Sequence, residues 1–438
     1  MRFLTRIAAP PFSFRPLSRC HAQIHRVGCN FHSVCYNLCM PDFNELDKRL
    51  PVAPLRLIVM DSAASLGGRI NDYLVSFRQD VHLKLLTDPA FKGYALNDYR
   101  IACDTNRYES GEGRAALQAS SRGDDVFILT DVMNHSLTYQ MRGFTNYMSP
   151  DDHYLDLKRV IASIGGRAKR INVIMPFMYE SRQHKRSMRE SLDCASMIDE
   201  LVSMGVDNFI TFDAHDPRVS NAAPLSGFNN FLATYQFVKA MLSDMDDLIV
   251  NKDHLTVISP DEGALDRAVY FANVLSADTG MFYKRRDYTK VVNGKNPIVA
   301  HEYLGEDVSG KDVIIIDDMI ASGSSIIDTA GQLKKRNAGR VFLCATFGLF
   351  TEGLSAFDAA YKKGVFDRVI STNLTYQDPG LKEREWFLEA DMSKFVAMII
   401  DFINHDASIT GVMTPTEKIH EFIRKYNMGI PVKDLITD

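Results

Sequence analysis

From about residue 50 onward, short apolar runs alternate with stretches whose apolar positions recur every three or four residues. The runs at 55–60, 125–130, 171–176 and 206–212 have the length and composition of strands. The stretch 66–77 and the set Leu192, Ala195, Ile198 and Val202 carry helical spacing. Ser187 and Glu190, just ahead of that set, have the spacing of a capping box. A second series follows, with strands at 255–259, 313–316, 341–346 and 368–371 and helices at 264–274 and 324–335. The run Val-Ile-Ile-Ile at 313–316 is apolar enough for a central strand buried on both faces. This alternation predicts an α/β fold with mostly parallel sheets, in two halves that meet near residues 215–250. The last segment, 378–438, ends in helical patterns, and no short-period repeat or low-complexity tract interrupts the chain.

Composition narrows the class. The chain has 438 residues, 46% of them hydrophobic, and a net charge of −5. A mildly acidic chain of this kind is not built to bind nucleic acid as its main partner. No run approaches the roughly 18 apolar residues that span a bilayer, so a soluble, cytoplasmic protein without a membrane partner is expected. The first 41 residues differ from the rest: they carry Arg2, Arg6, Arg15, Arg19 and Arg26 and no Asp or Glu. They read either as an organellar transit segment or as an extension ahead of a natural start at Met40. The expected layout is an N-terminal extension at 1–50, one domain at 51–225 and a second at 226–438. Seven cysteines are present without a C-x-x-C pair, and His32, Cys35 and Cys39 fit no zinc spacing well. They are read as free thiols.

Candidate chemistry concentrates after the strand at 313–316. Asp317 and Asp318 follow it directly, and consecutive residues of a strand point in different directions. Carboxylates at the carboxyl edge of an open α/β sheet stand where ligands bind, and they accept hydrogen bonds from vicinal sugar hydroxyls. Next come Ala321, Ser322, Gly323, Ser324 and Ser325, small residues that open a helix. Backbone N–H groups there wrap a phosphate, and the helix N-terminus favours its charge. The composite reads as a ribose 5-phosphate site. Other patterns fail: Gly305 to Lys311 imitates a P-loop, but Asp312 stands where Ser or Thr is required.

The segment 313–327 resembles the 5-phosphoribosyl 1-diphosphate (PRPP) binding loop shared by type I phosphoribosyltransferases and ribose-phosphate pyrophosphokinases. Its Ala-Ser-Gly-Ser-Ser is closer to the transferase form. Five further segments are similar to the pyrophosphokinases and occur in that family's order, so that the resemblance covers roughly residues 100–375. They are RYESGE at 107–112, INVIMPFMYESRQHKR at 171–186, NFITFDAHD at 208–216, SPDEGALDRA at 259–268 and Lys284-Arg285-Arg286. The resemblance implies two tandem phosphoribosyltransferase-like domains with mostly parallel central sheets flanked by helices. It implies transfer of the diphosphoryl group of ATP to O1 of ribose 5-phosphate, with Mg²⁺ as cofactor. Carried over residue by residue, Lys284 and Arg286 are catalytic and His215 and Asp261 belong to the metal site. Tyr108, Ser110, Glu112, Arg182 and Gln183 bind ATP. Asp317, Asp318 and Ala321 to Ser325 bind ribose 5-phosphate. A homo-oligomer is implied as well, dimer-based and up to a hexamer. His184, Ala264 and Ala321 depart from the family's Asp, Gly and acidic residue, and the stretch from Lys284 to Asp317 is long. Two alternatives stay open: a type I phosphoribosyltransferase, and a catalytically silent regulatory relative.

Overall fold

The computed structural model describes residues 49–85, 93–286, 298–413 and 415–435. Strand β1 (Leu55–Val59) leads into helix α1 (Ala64–Leu85), hairpin β2–β3 (Cys103–Arg107, Gly113–Leu117) and β4 (Asp125–Leu129). Hairpin β5–β6 (Thr138–Met141, Phe144–Tyr147), α2 (Pro150–Ile164), β7 (Arg170–Ile174), α3 (Asp193–Ser203), β8 (Asn208–Phe212) and β9 (Gly227–Phe231) complete the first half. After α4 (Thr234–Asp244), the second half runs through β10 (Leu255–Ser259), α5 (Leu265–Leu275), β11 (Asp278–Arg286), β12 (Ile298–Leu304) and β13 (Asp312–Ile320). It ends with α6 (Ser324–Lys334), β14 (Val341–Gly348), α7 (Ser355–Lys362), β15 (Arg368–Thr372), β16 (Phe387–Ala390) and helices from α8 (Ser393–Asn404) onward.

Two central sheets result. The first has the order β1-β4-β7-β8-β9, all parallel. The second repeats that order as β10-β13-β14-β15-β16 and adds β11 and β12 outside β10. Only β12 is antiparallel. The repeat extends to side chains. Arg170 pairs with Asp125 at 2.8 Å, and Arg340 with Asp312 at 2.7 Å, at matching strand starts. Backbone N–H groups of Ile171 and Val341 donate to Asp207 at 2.9 Å and Asp367 at 2.8 Å. Val313 to Ile316 are buried on both faces, as a central strand requires.

The halves interlock through their last helices. Helix α4 packs against β15 and β16, and α8 packs along α1. One hydrophobic core therefore includes Leu57, Ile70 and Leu74 of the first half together with Val396, Ile399 and Ile400 of α8. The first sheet takes its fifth strand from 227–231, beyond the division expected at 225/226, because β9 hydrogen-bonds to β8.

Local expectations were corrected in two places. Helix α3 starts at Asp193 rather than after Ser187. Ser187 N–H does reach Glu190 at 3.3 Å, but the carbonyl of Ser191 accepts Gln183 Nε2 at 2.8 Å and the chain stays in a loop. The buried face is then Cys194, Met197, Ile198 and Leu201, sharing only Ile198 with the expected set. Helix α2 lies in a stretch whose polarity hid it, although Ser149 and Asp152 form a capping box around Pro150. Cys103, Cys194 and Cys344 are free thiols, while Cys20, Cys29, His32, Cys35 and Cys39 lie outside the described residues. No helix among the described residues is long and apolar enough to cross a membrane.

Candidate active site

The strand order of the second sheet creates a switch point. From β10 the chain steps outward to β11 and then returns to the other side of β10 as β13. In open α/β sheets the carboxyl ends of the strands at such a point are where ligands bind. Ile258 lies beside Ile315, so Asp261, Asp317 and Asp318 emerge next to one another at that edge. Ser259 Oγ donates to the carbonyl of Asp261 at 2.6 Å, and Gly263 N–H to its Oδ1 at 3.0 Å, which fixes the loop.

The segment Ala321 to Ser325 makes a tight turn into α6. Gly323 is the N-cap of α6 with φ +82°, a left-handed conformation that glycine adopts without strain. A Cβ there would stand 2.2 Å from the buried ring of Phe357, so the backbone approaches too closely for any side chain. The helix has no side-chain cap and no acid in its first turn, and Ser322 and Ser324 face each other at 3.1 Å. An uncapped N-terminus of this kind suits an anion.

The first half supplies the other wall through the loop after β8. His215 Nδ1 meets Asp318 Oδ2 at 2.6 Å, across 103 residues of sequence. Asp213 takes a left-handed backbone (φ +41°) and accepts from Arg267 Nε at 2.8 Å and Thr346 Oγ1 at 2.6 Å. Arg182 Nη2 reaches Met319 Sδ at 2.8 Å. The two adjacent carboxylates are driven apart. Burial, reinforced by the charges of Asp318 and Asp261, pushes Asp317 well above the ordinary range. Burial opposes ionisation of Asp318 too, but the His215 hydrogen bond and Arg267 outweigh it and hold that carboxyl below its usual value. The same hydrogen bond raises His215, against the opposing effect of burial.

Tyr108, Ser110 and Glu112 form the tip of hairpin β2–β3, where Ser110 Oγ donates to Glu112 at 2.8 Å and Tyr108 is exposed. Arg107 anchors that hairpin to Asp156 of α2 at 2.7 Å. Gln183 turns toward its own loop. His184 lies against Asp216 at 3.3 Å, with its ring 5.4 Å from that of His215. Lys284 and Arg286 fall on β11, which runs on past the end of β10, since Met281 is already level with Ser259. Their backbone thus overhangs the carboxyl edge of the sheet; their side chains lie outside the described part.

Among the described residues, no three His, Cys, Asp or Glu side chains gather into a metal cluster. The donors present nevertheless fit Mg²⁺, which takes few protein oxygens and keeps water and substrate phosphates for the rest. Burial raises the Asp317 carboxyl most, and the charges of Asp318 and Asp261 both add to it. With Nδ1 of His215 bound to Asp318, Nε2 is the ring atom left to face a cation.

Asp213, Arg267 and Thr346 were given no role from the sequence, although Asp213 and Arg267 lie inside the segments 208–216 and 259–268. Their place shows only in the fold: Arg267 is the half-buried cation that Asp213 and the Asp317–Asp318 pair share, its Nη2 2.8 Å from Asp213 and its Nη1 4.0 Å from Asp317.

Fold and site together define a protein of two phosphoribosyltransferase-like α/β domains with a carboxylate-rich centre where they meet. Residues 55–205 match the model of the N-terminal domain of ribose phosphate pyrophosphokinase, and residues 229–384 match the phosphoribosyl transferase domain. The chain is 30% identical over 249 residues to a ribose-phosphate pyrophosphokinase of Corynebacterium glutamicum, covering 56% of this chain and 69% of the relative. It is 28% identical over 313 residues to that of Shewanella oneidensis, covering 70% and 89%. Among solved structures, the phosphoribosylpyrophosphate synthetase of Mycobacterium smegmatis shares the fold, with a TM-score of 0.62 at 20% identity, covering 81% of this chain and 99% of that one. The chain belongs to the ribose-phosphate pyrophosphokinase family.

Proposed function

We propose that this protein transfers the diphosphoryl group of ATP to O1 of ribose 5-phosphate, giving PRPP and AMP. The observation that carries the reading is the His215–Asp318 hydrogen bond. It ties the loop of the first half, which neighbours Arg182, to the carboxylates and phosphate cradle of the second. In this reading Ala321 to Ser325 hold the 5-phosphate, while Asp317 and Asp318 orient the ribose hydroxyls. Arg182 and Gln183 hold ATP, joined by Tyr108, Ser110 and Glu112 from the exposed hairpin, which is placed to reach a neighbouring subunit in a homo-oligomer. O1 attacks the β-phosphorus in line, its proton is released, and the bond to the α-phosphate oxygen breaks to free AMP. Such a reaction depends on positioning and on neutralising charge. Lys284 and Arg286 supply that neutralisation at the sheet edge. Asp261 and His215 would hold Mg²⁺, which when bound neutralises phosphate oxygens.

The test is direct. Full-length protein with ATP, Mg²⁺ and ribose 5-phosphate should release AMP in step with PRPP. Folded protein that releases none overturns the reading; if it still binds ribose 5-phosphate, the catalytically silent relative takes its place.

A further inference from the structure

The matching ion pairs of the two halves allow them to be aligned residue by residue. Asp131 stands six residues past Asp125, as Asp318 stands six past Asp312. Asp61 lies two past the end of β1, as Asp261 lies two past the end of β10. Thr375 lies three past the end of β15, as His215 lies three past the end of β8. The cross-contact repeats as well. Asp318 Oδ2 is reached by His215 from the first half, and Asp131 Oδ2 accepts the N–H of Tyr376 from the second, each at 2.6 Å.

At this counterpart position is a cavity of about 350 Å³, lined by Ser62, Arg69, Asp131, Thr375, Gln377 and Lys382 among others. That volume suits a small sugar-bearing ligand. Thr375 is 5% exposed, and its Oγ1 is buried without a hydrogen-bond partner among the described residues. An unmade buried hydrogen bond is costly, so the place favours a ligand hydroxyl. Arg69 and Lys382 both meet Glu389, at 3.0 and 2.7 Å, beside the cavity. The edge beside it differs: where β11 and β12 extend the second sheet, the described residues of the first half make only a single parallel bridge from Leu57 to Arg100, and hairpin β2–β3 stands as a separate sheet. In place of the phosphate cradle, Asn134 closes on Ser62 at 2.8 Å and on Ser136 at 2.7 Å.

We propose that this cavity is a second, non-catalytic ribosyl-binding site, in which Asp131 and Thr375 recognise the hydroxyls of a ribose-containing ligand. Arg69 and Lys382 take its phosphate when it has one. The choice of a ribosyl ligand rests on reading Asp317–Ser325 as a ribose 5-phosphate site.

Calorimetric titration of the full chain with ribose 5-phosphate, AMP and adenosine, each separately, tests this. Ala64 is exposed and lines the cavity, so Ala64→Trp plugs it from the surface; Thr375→Val removes the hydroxyl at constant shape. At least one ligand should lose one equivalent per chain in Ala64→Trp and bind about tenfold more weakly at that site in Thr375→Val, with melting unchanged. The ligand affected tells whether sugar phosphate, nucleotide or nucleoside is the occupant. If none of the three changes stoichiometry or affinity in either variant, the proposal is wrong. Asp318→Asn separates the two readings. Loss of ribose 5-phosphate binding there bears on the active centre alone, and binding that survives it but falls in Ala64→Trp belongs to the second site.

Discussion

Asp317 and Asp318 are chemically identical neighbours with opposite environments. Asp318 is 5% exposed and bonded to His215, whereas Asp317 keeps 27% of its side chain exposed and meets mainly other acids. One is held ionised and bonded, while the raised carboxyl of the other favours its protonated form. The sequence located the pair through the apolar run before it, but not this division, which depends on Arg267 and His215. Asp131, the counterpart carboxyl, has no cation bonded to it among the described residues, and burial pushes it up to about 7. An unfolded Asp titrates near 4. Between these values the folded state holds a proton that the unfolded state has lost, so stability falls as pH rises from about 4 to about 7. The fall is at most about 1.4 kcal/mol per pH unit. Urea denaturation at about pH 5 and pH 8 should show this loss in the wild type and its removal in Asp131→Asn. Equal slopes in the two proteins would mean that Asp131 is charged throughout.

At the scale of elements, the strands were the most legible feature. Those read from the sequence, such as β4, β10 and β14, are short apolar runs buried on both faces of a parallel sheet, so local composition suffices; the polar or exposed strands β2, β5, β6 and β9 carry no such signal. Helix α3 was misplaced because its start is decided by where Ser191 sends its carbonyl, not by spacing. The turn into α6 was legible through its small residues, but the reason for Gly323 was not. Phe357, fully buried between Phe350 at 5.1 Å and Trp386 at 5.6 Å, leaves no room for a Cβ. Gly323→Ala should therefore displace the loop, at a cost of roughly 1–3 kcal/mol. It should raise KM for ribose 5-phosphate at least tenfold while leaving that for ATP nearly unchanged. Unaltered ribose 5-phosphate kinetics would remove this loop from the site.

Across the whole molecule, the halves are tied by exchanged helices. Arg78 of α1, 1% exposed, bonds Asp401 of α8 at 2.6 and 2.8 Å and Asn404 at 2.7 Å, beneath the ring of Tyr94 at 4.6 Å. Arg78→Met leaves a carboxylate buried without its partner and should cost about 3–5 kcal/mol in urea denaturation. Adding Asp401→Leu should recover most of that loss; no recovery would show that packing, not charge, holds α8 in place. By itself the sequence determined the α/β class and the two halves through local periodicity, and the acids and small residues at the end of β13 through turn chemistry, while those after β8 and β10 were singled out by the family resemblance. Only the tertiary structure decided that His215 bonds Asp318, that Arg267 is shared by both walls, and that Asp131 and Thr375 meet at a second cavity. Those pairings join residues fifty or more positions apart, and nothing in a local pattern specifies which distant strand ends will be brought together.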